Sequence, residues 1–298
     1  MGGSPVSATS AARFAAGATV CAVAVCVAAW AASRCLHVAR THSGMARVRR
    51  LEDAGGRVVR VLQVGGVFQS ATYVDERRFE PVFAYYRAFD TMFEADEALR
   101  ARTGHGVERV LMLGGGGYAY PKHALTRHPE LSMDVVEIDP AVTRLARRWF
   151  YLDELHERVG ERLGLITADA REYLGRAASA SVRYDAVVND CFSGVEPVRA
   201  LATVEALRAA RACLVPGGLY LANIVSTCDG VCVDFLRDAV ATALCVFDCV
   251  QVVPCPDELF GGEDNYLLVG SDTDLDIADA LPVDDDFLGS VMHDEALV

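Results

Sequence analysis

Lysine is almost absent from this chain: Lys122 is the only one in 298 residues, and the remaining positive charge is arginine. With so much alanine, that skew reads as the bias of a GC-rich coding sequence, and no function is drawn from it. Positive charge is short overall. The 28 Lys and Arg face 41 Asp and Glu, a net charge of −13, which argues against a nucleic-acid partner because phosphate binding needs a basic face. The same field favours a cationic substrate such as an amine. None of the ten cysteines forms a CxxC pair. Cys228, Cys232, Cys245, Cys249 and Cys255 are scattered through apolar periodic segments and read as buried free thiols, not as bridges or a zinc site. No metal and no internal repeat are expected. With 52% hydrophobic and 23% charged residues, most of the chain is globular, enough for one large domain or two small ones.

One long hydrophobic run is present. Residues 14–33 are uncharged, rich in alanine and valine, and bounded by Arg13 and Arg34, enough for a single bilayer crossing. The C-terminal flank is the more basic, with Arg34, Arg40, Arg47, Arg49 and Arg50, which places the following domain on the cytoplasmic side. The small residues at 29–33 resemble a signal-peptidase site, but the charge lies mostly on the wrong side for secretion. Residues 1–50 therefore read as a single-pass membrane anchor with a basic linker. If translation starts at Met45, the anchor is lost and the protein is cytoplasmic.

Residues 57–73 alternate apolar and polar side chains around Gly65 and Gly66, the pattern of a β-hairpin or meander. Phe83, Tyr86, Phe89 and Phe93 give residues 79–99 helical spacing. Together these make a small β-rich domain with a helix, over 51–103. From Arg109 onward, short apolar strands at 110–113, 135–138, 165–167, 186–188 and 219–224 alternate with helices at 141–151, 170–177 and 204–214. That alternation predicts an α/β fold with a parallel, doubly wound, Rossmann-like sheet. Pro216-Gly217-Gly218 is expected to end the helix before the fifth strand. A helix at 231–246 and strands at 250–253 and 265–270 complete a domain over 104–275. Residues 276–298 read as an acidic surface tail.

The chemistry collects at the strand ends. Gly114-Gly115-Gly116-Gly117 follows the first strand and opens a helix, where glycines allow close backbone approach and free N–H groups face a ligand. Glu137 ends the second strand about 20 residues on, the position from which an acid accepts both hydroxyls of a ribose. Asp169 ends the third strand, placed for an adenine amino group, and Asp190 ends the fourth, beside the reactive end of a ligand. An acid at a strand end is also a ready helix cap. Asp139, just before Pro140, is more readily a cap than a ligand group. Asp169 and Asp190 after strands three and four suit an adenosyl sulfonium better than a nicotinamide.

These residues resemble the spermidine synthase family. The matching runs are Gly114-Gly115-Gly116, Val136-Glu137-Ile138-Asp139-Pro140, Asp169-Ala170-Arg171-Glu172-Tyr173-Leu174 and Tyr184-Asp185-Ala186-Val187-Val188-Asn189-Asp190, with Gly66-Val67-Phe68-Gln69-Ser70 upstream. The resemblance spans about residues 58–270. It implies the methyltransferase-type fold and an aminopropyltransferase that uses decarboxylated S-adenosylmethionine and a diamine such as putrescine, commonly as a homo-oligomer. It gives Asp190 the catalytic role and assigns cofactor contacts to Gln69, Gly114, Gly115, Gly116, Glu137 and Asp169. Three positions depart from the family pattern. Gly117 replaces an acid that pairs with the aminopropyl ammonium, Ser193 replaces the second acid of a D-x-x-D-P motif, and Tyr85-Tyr86-Arg87 replaces a segment that carries a histidine. The acceptor half of the site is thus expected to have diverged. Without the acid at Gly117, intact S-adenosylmethionine becomes an alternative co-substrate, its carboxylate paired with Arg87 or Lys122. A methyltransferase and a non-catalytic adenosyl-binding scaffold are the competing readings.

Overall fold

The computed structural model describes residues 35–53, 55–193, 196–226, 233–256, 264–283 and 287–297. The apolar run at 14–33 lies outside them. Among the described residues no helix is long and apolar enough to cross a membrane.

The N-terminal unit is a four-stranded antiparallel sheet in sequential order. Its strands are β1 (Cys35–Thr41), β2 (Gly44–Glu52), β3 (Val58–Val64) and β4 (Val67–Tyr73). The hairpin expected around Gly65 and Gly66 is β3–β4, with both glycines at positive φ. The stretch read as a basic linker is instead the β1–β2 hairpin. Ala46 and Val48 are buried while Arg47 between them is exposed, a period-two pattern that arginine-rich composition had masked.

Residues 79–99 form no single helix. Three short helices follow one another, α1 (Tyr85–Ala88), α2 (Thr91–Glu94) and α3 (Glu97–Thr103). Asp96 binds Arg100 Nε at 2.7 Å and accepts from the Val107 N–H at 3.4 Å, a local bonding choice that competes with helix continuation. The apolar spacing still holds, with Tyr86, Phe89, Met92 and Leu99 buried.

The second unit alternates strands and helices through β5 (Arg109–Leu113), α4 (Ala119–Arg127), β6 (Ser132–Glu137), α5 (Pro140–Trp149), α6 (Leu152–Val159), β7 (Leu163–Thr167), α7 (Ala170–Ser179) and β8 (Tyr184–Asn189). A two-stranded ribbon, β9 (Phe192–Ser193) with β10 (Glu196–Pro197), precedes α8 (Val204–Ala212), β11 (Leu214–Ser226), α9 (Val233–Leu244), β12 (Cys249–Cys255) and β13 (Asp264–Ser271). The seven-stranded order is β12-β13-β11-β8-β5-β6-β7. Five strands are parallel, but β13 inserts between β11 and β12 and runs antiparallel to both. The sheet is therefore mixed, not wholly parallel, because β12 and β13 are joined without a crossover helix. Its strands are buried on both faces: Val110 and Met112 pack with the N-terminal sheet and α4–α6, while Leu111 and Leu113 pack with α7–α9. Strand order reverses between β5 and β8, the switch point where α/β sheets bind ligands.

Two further expectations change. Pro216-Gly217-Gly218 lies inside β11, where its pairing with β8 shifts register between Leu214 and Leu219, and α8 ends earlier, at Ala212. Gly217 at φ +81° makes that irregularity possible. The tail is also more than a surface segment: Met292 is buried, and Asp294 bonds Thr203 at 2.6 Å and Arg171 at 2.8 Å.

The two units meet over Lys122. Its ammonium is fully buried, donates to Thr72 Oγ1 at 2.8 Å, and is pulled down to a pKa of about 7 by burial and then by Arg60. The unfolded chain binds this proton up to its ordinary value near 10, so stability rises with pH between about 7 and 10 and the full penalty applies below 7. A Lys122→Met protein is expected to melt higher than the parent at pH 6.5. The difference should shrink toward pH 10 when both are followed by circular dichroism.

Candidate active site

At the switch point a cavity of about 690 Å³ opens between the two units, and all seven residues named from the sequence line it: Gln69, Gly114, Gly115, Gly116, Glu137, Asp169 and Asp190. Each arrives by a separate local device. Gly114 follows β5 at φ +93°, and a Cβ there would sit 2.4 Å from the Asp190 carbonyl oxygen, so only glycine lets the ends of β5 and β8 approach. Its N–H donates to Val136 O at 2.9 Å.

Glu137 is buried and fastens the turn. One carboxylate oxygen accepts from the N–H groups of Gly115 and Gly116 at 3.1 and 3.0 Å, and the other from Asp139 at 2.9 Å. Burial raises its pKa against those three backbone bonds. Asp139 caps α5 through Ala141 at 2.7 Å and also accepts from the His42 N–H in the β1–β2 turn, tying the N-terminal sheet to the site. Asp169 likewise caps α7, accepting from Glu172 at 3.0 Å, and still borders the cavity. Gln69 is turned inward by a bulge: Leu62 pairs with Ser70 and Gln63 with Phe68, leaving Gln69 as the extra residue.

Asp190 stands at the end of β8, its N–H bonded to Leu113 O at 2.9 Å. Oδ1 accepts from Asn223 Nδ2 at 2.9 Å, and Oδ2 from the Tyr85 hydroxyl at 3.5 Å. Enclosure by protein pushes its pKa up to about 7, with the two hydrogen bonds opposing. Asn223 and Tyr85 were not named as site residues. Asn223 could have been found as the polar break in the apolar run Leu219–Ile224 of β11. Tyr85 comes from α1, with Phe83 stacked at 6.2 Å and Tyr86 tilted against it at 4.2 Å between ring centroids. No local pattern announces that these rings face β8.

The residues read as departures sit differently from expectation. A Cβ on Gly117 would lie 2.5 Å from Ser70 Oγ and 3.1 Å from Phe150, so this position points into the packed interface beneath β4. Arg87 is exposed and donates to Pro81 O at 3.3 Å, and Lys122 is held by Thr72. Among the described residues neither borders the cavity, so the pairing of either with a donor carboxylate is withdrawn. Ser193 is exposed in β9 and does not border it either. Among the described residues the cavity carries the carboxyl groups of Glu137, Asp139, Asp169 and Asp190 against Arg171 alone, and Arg171 is committed to Asp294 at 2.8 Å and to Glu205 O at 3.3 Å. Among the described residues no group of three or more metal-ligating side chains is found.

A glycine turn, an acid on the second strand and a strand order that reverses at the turn define the class: a Rossmann-like domain of the methyltransferase type with an N-terminal β-sheet. Residues 99–228 match the family model of the spermine/spermidine synthase domain, and the chain resembles the spermidine synthases. A polyamine aminopropyltransferase of Vibrio vulnificus is 37% identical over 120 residues, which is 40% of this chain and 38% of that protein. One from Escherichia coli is 28% identical over 130 residues, 43% of this chain and 42% of that one. The matched part thus spans about two fifths of these curated relatives. A probable spermidine synthase from Corynebacterium glutamicum has a TM-score of 0.63 at 24% identity over 80% of both chains. Human methyltransferase-like protein 13, in complex with SAH, reaches 0.52 at 20% identity over 67% of this chain and 86% of that one. The structural likenesses carry the fold.

A Gly117→Asp substitution, which restores the family pattern, is expected to destabilise the protein by about 1–3 kcal/mol or more through overpacking. It should bring no gain in donor binding. Thermal melts and calorimetric titration with decarboxylated S-adenosylmethionine check both.

Proposed function

We propose that this protein transfers the aminopropyl group of decarboxylated S-adenosylmethionine to an amine, with a diamine as the first candidate. The observation that carries this reading is a carboxylate-lined cavity whose single bordering cation, among the described residues, is already engaged. Such a cavity suits a sulfonium and an ammonium, and among the described residues it offers no uncommitted cation for the carboxylate of intact S-adenosylmethionine. That charge balance favours the decarboxylated donor.

Glycines 114–116 give the nucleoside its close backbone approach. Glu137, already accepting backbone N–H groups at both carboxylate oxygens, takes the ribose hydroxyls with its remaining lone pairs, and Asp169 takes the adenine amino group. Gln69 borders the donor from the N-terminal sheet. The attacking amine nitrogen must be neutral. Its lone pair forms the new C–N bond at the methylene carbon on sulfur while the C–S bond breaks, releasing methylthioadenosine. The nitrogen becomes cationic as it alkylates, and Asp190 accepts its proton. A carboxyl group with a pKa near 7 suits that transfer at neutral pH. Asn223 and Tyr85 fix the orientation of this carboxylate. The aromatic rings of Phe83, Tyr85 and Tyr86 provide faces on which a cationic acceptor can rest.

The chain's placement is part of the same reading. Residues 14–33, with their length and arginine-rich flank, support a membrane anchor with the catalytic unit on the cytoplasmic side. The family resemblance supports a homo-oligomer.

Incubation with decarboxylated S-adenosylmethionine and putrescine is expected to release methylthioadenosine by chromatography. Production of S-adenosylhomocysteine from intact S-adenosylmethionine instead would replace this reading with methyl transfer. Asp190→Asn is expected to lower kcat by about 10²–10⁴. Cellular function that survives this substitution would favour the scaffold reading. Because Asp190 must be ionised to accept the proton, kcat should rise from pH 6 to pH 8. The folded protein holds the Asp190 proton up to about 7 and the unfolded chain only to about 4, so ionised Asp190 costs stability at higher pH. The Asp190→Asn protein should therefore melt above the parent at pH 8 and level with it near pH 4.

A further inference from the structure

The acidic excess of the chain is unevenly placed. Residues 35–73 hold six arginines against Glu52 and Asp53, and Asp53 is closed off in a bond to Arg57. On the N-terminal sheet, direct pairings run Val38 to Arg47, Arg47 to Gln63 and Gln63 to Phe68, with Arg40 opposite Met45 on the same face. Directly opposed residues of antiparallel strands point to one side, so this face alternates apolar groups with arginines. Val38 and Met45 are each 49% exposed, and Phe68, 41% exposed, stands where the face meets the rim of the cavity that it also lines. Arg40 and Arg47 are exposed and have no carboxylate partner among the described residues. The opposite side, with Ala46, Val48, Leu62 and Val64, is buried.

We propose that this sheet face docks on an anionic lipid surface. Interleaved guanidinium and apolar side chains are the chemistry of an interfacial contact, in which headgroup phosphates and carboxylates meet the arginines and the apolar groups enter the headgroup boundary. The acidic remainder of the molecule is repelled from the same surface, which leaves this face as the one that approaches. The strand that forms the edge of the face, β1, begins two residues after the uncharged run at 14–33, so chain continuity places the face at the end of that run. A second copy packed face to face would oppose Arg40 and Arg47 to their own counterparts without an acid between them.

Hydrogen exchange on the full chain tests this, read by mass spectrometry on peptides covering residues 36–48. Vesicles of phosphatidylcholine with about 30% phosphatidylserine are compared with phosphatidylcholine alone, so that any insertion of residues 14–33 is common to both. The expected result is slower exchange on the phosphatidylserine vesicles only, reversed by 0.5 M salt. In an Arg40→Glu/Arg47→Glu protein with an unchanged melting temperature, the fraction protected should fall at least tenfold at equal lipid. Equal exchange on the two vesicles, or undiminished protection in the double variant, overturns the proposal. So does protection that grows with protein concentration in the absence of lipid, which would assign the face to a second copy. None of these readouts depends on which group the protein transfers.

Discussion

The hold of Glu137 on the glycine turn is the constraint on which the site depends. Three backbone N–H groups, from Gly115, Gly116 and Asp139, converge on one buried carboxylate. This fixes the end of β5 against the end of β6 and leaves the turn open toward the cavity. Asp139, positioned by that contact, caps α5 and accepts from His42. A single strand-end acid thereby sets the glycine turn and, through Asp139, starts a helix and secures the N-terminal hairpin. The absence of a Cβ at Gly114 completes the arrangement, because β5 and β8 can then meet and bring Asp190 to the same opening.

Electrostatics at this opening are one-sided. Four carboxyl groups border the cavity and the only bordering arginine, among the described residues, is bound elsewhere. Burial raises the cost of ionising Glu137, and the neighbouring charge of Asp139 adds to it. The raised pKa of Asp190 comes first from enclosure by protein and, in the proposed reaction, suits the residue to accept a proton at neutral pH. Stability and chemistry therefore pull in opposite directions at one residue, as is common where a site holds a group away from its preferred protonation state.

The departures from the family pattern look different once placed in space. Gly117 had the character of a deleted charge, yet its missing side chain points at Ser70 and Phe150, and the glycine serves the packing of the two units. Arg87 had the character of a partner for a donor carboxylate, yet it turns outward to Pro81. Position in a motif does not report the direction of a side chain, which is set by the turn or helix that follows.

Much of the fold was legible along the chain because its signals are local. Alternating apolar strands and helices, the glycine turn after β5 and the acids after β6, β7 and β8 are spaced by element lengths, and spacing alone assigns them to one edge of a sheet. Period-two patterning at Ala46 and Val48 is present in β2, but the arginines hid it and the stretch read as a basic linker. By itself, then, the sequence determined the α/β class, the sheet edge that borders the cavity and the acids along it. Tertiary structure alone decided that β13 enters antiparallel beside β11, that Tyr85 and Asn223 hold Asp190, and that Gly117, Arg87 and Lys122 face away from the cavity. The contacts of Asp190 with Asn223 and Tyr85 span 33 and 105 positions, and no local rule carries information over such separations until the core has packed.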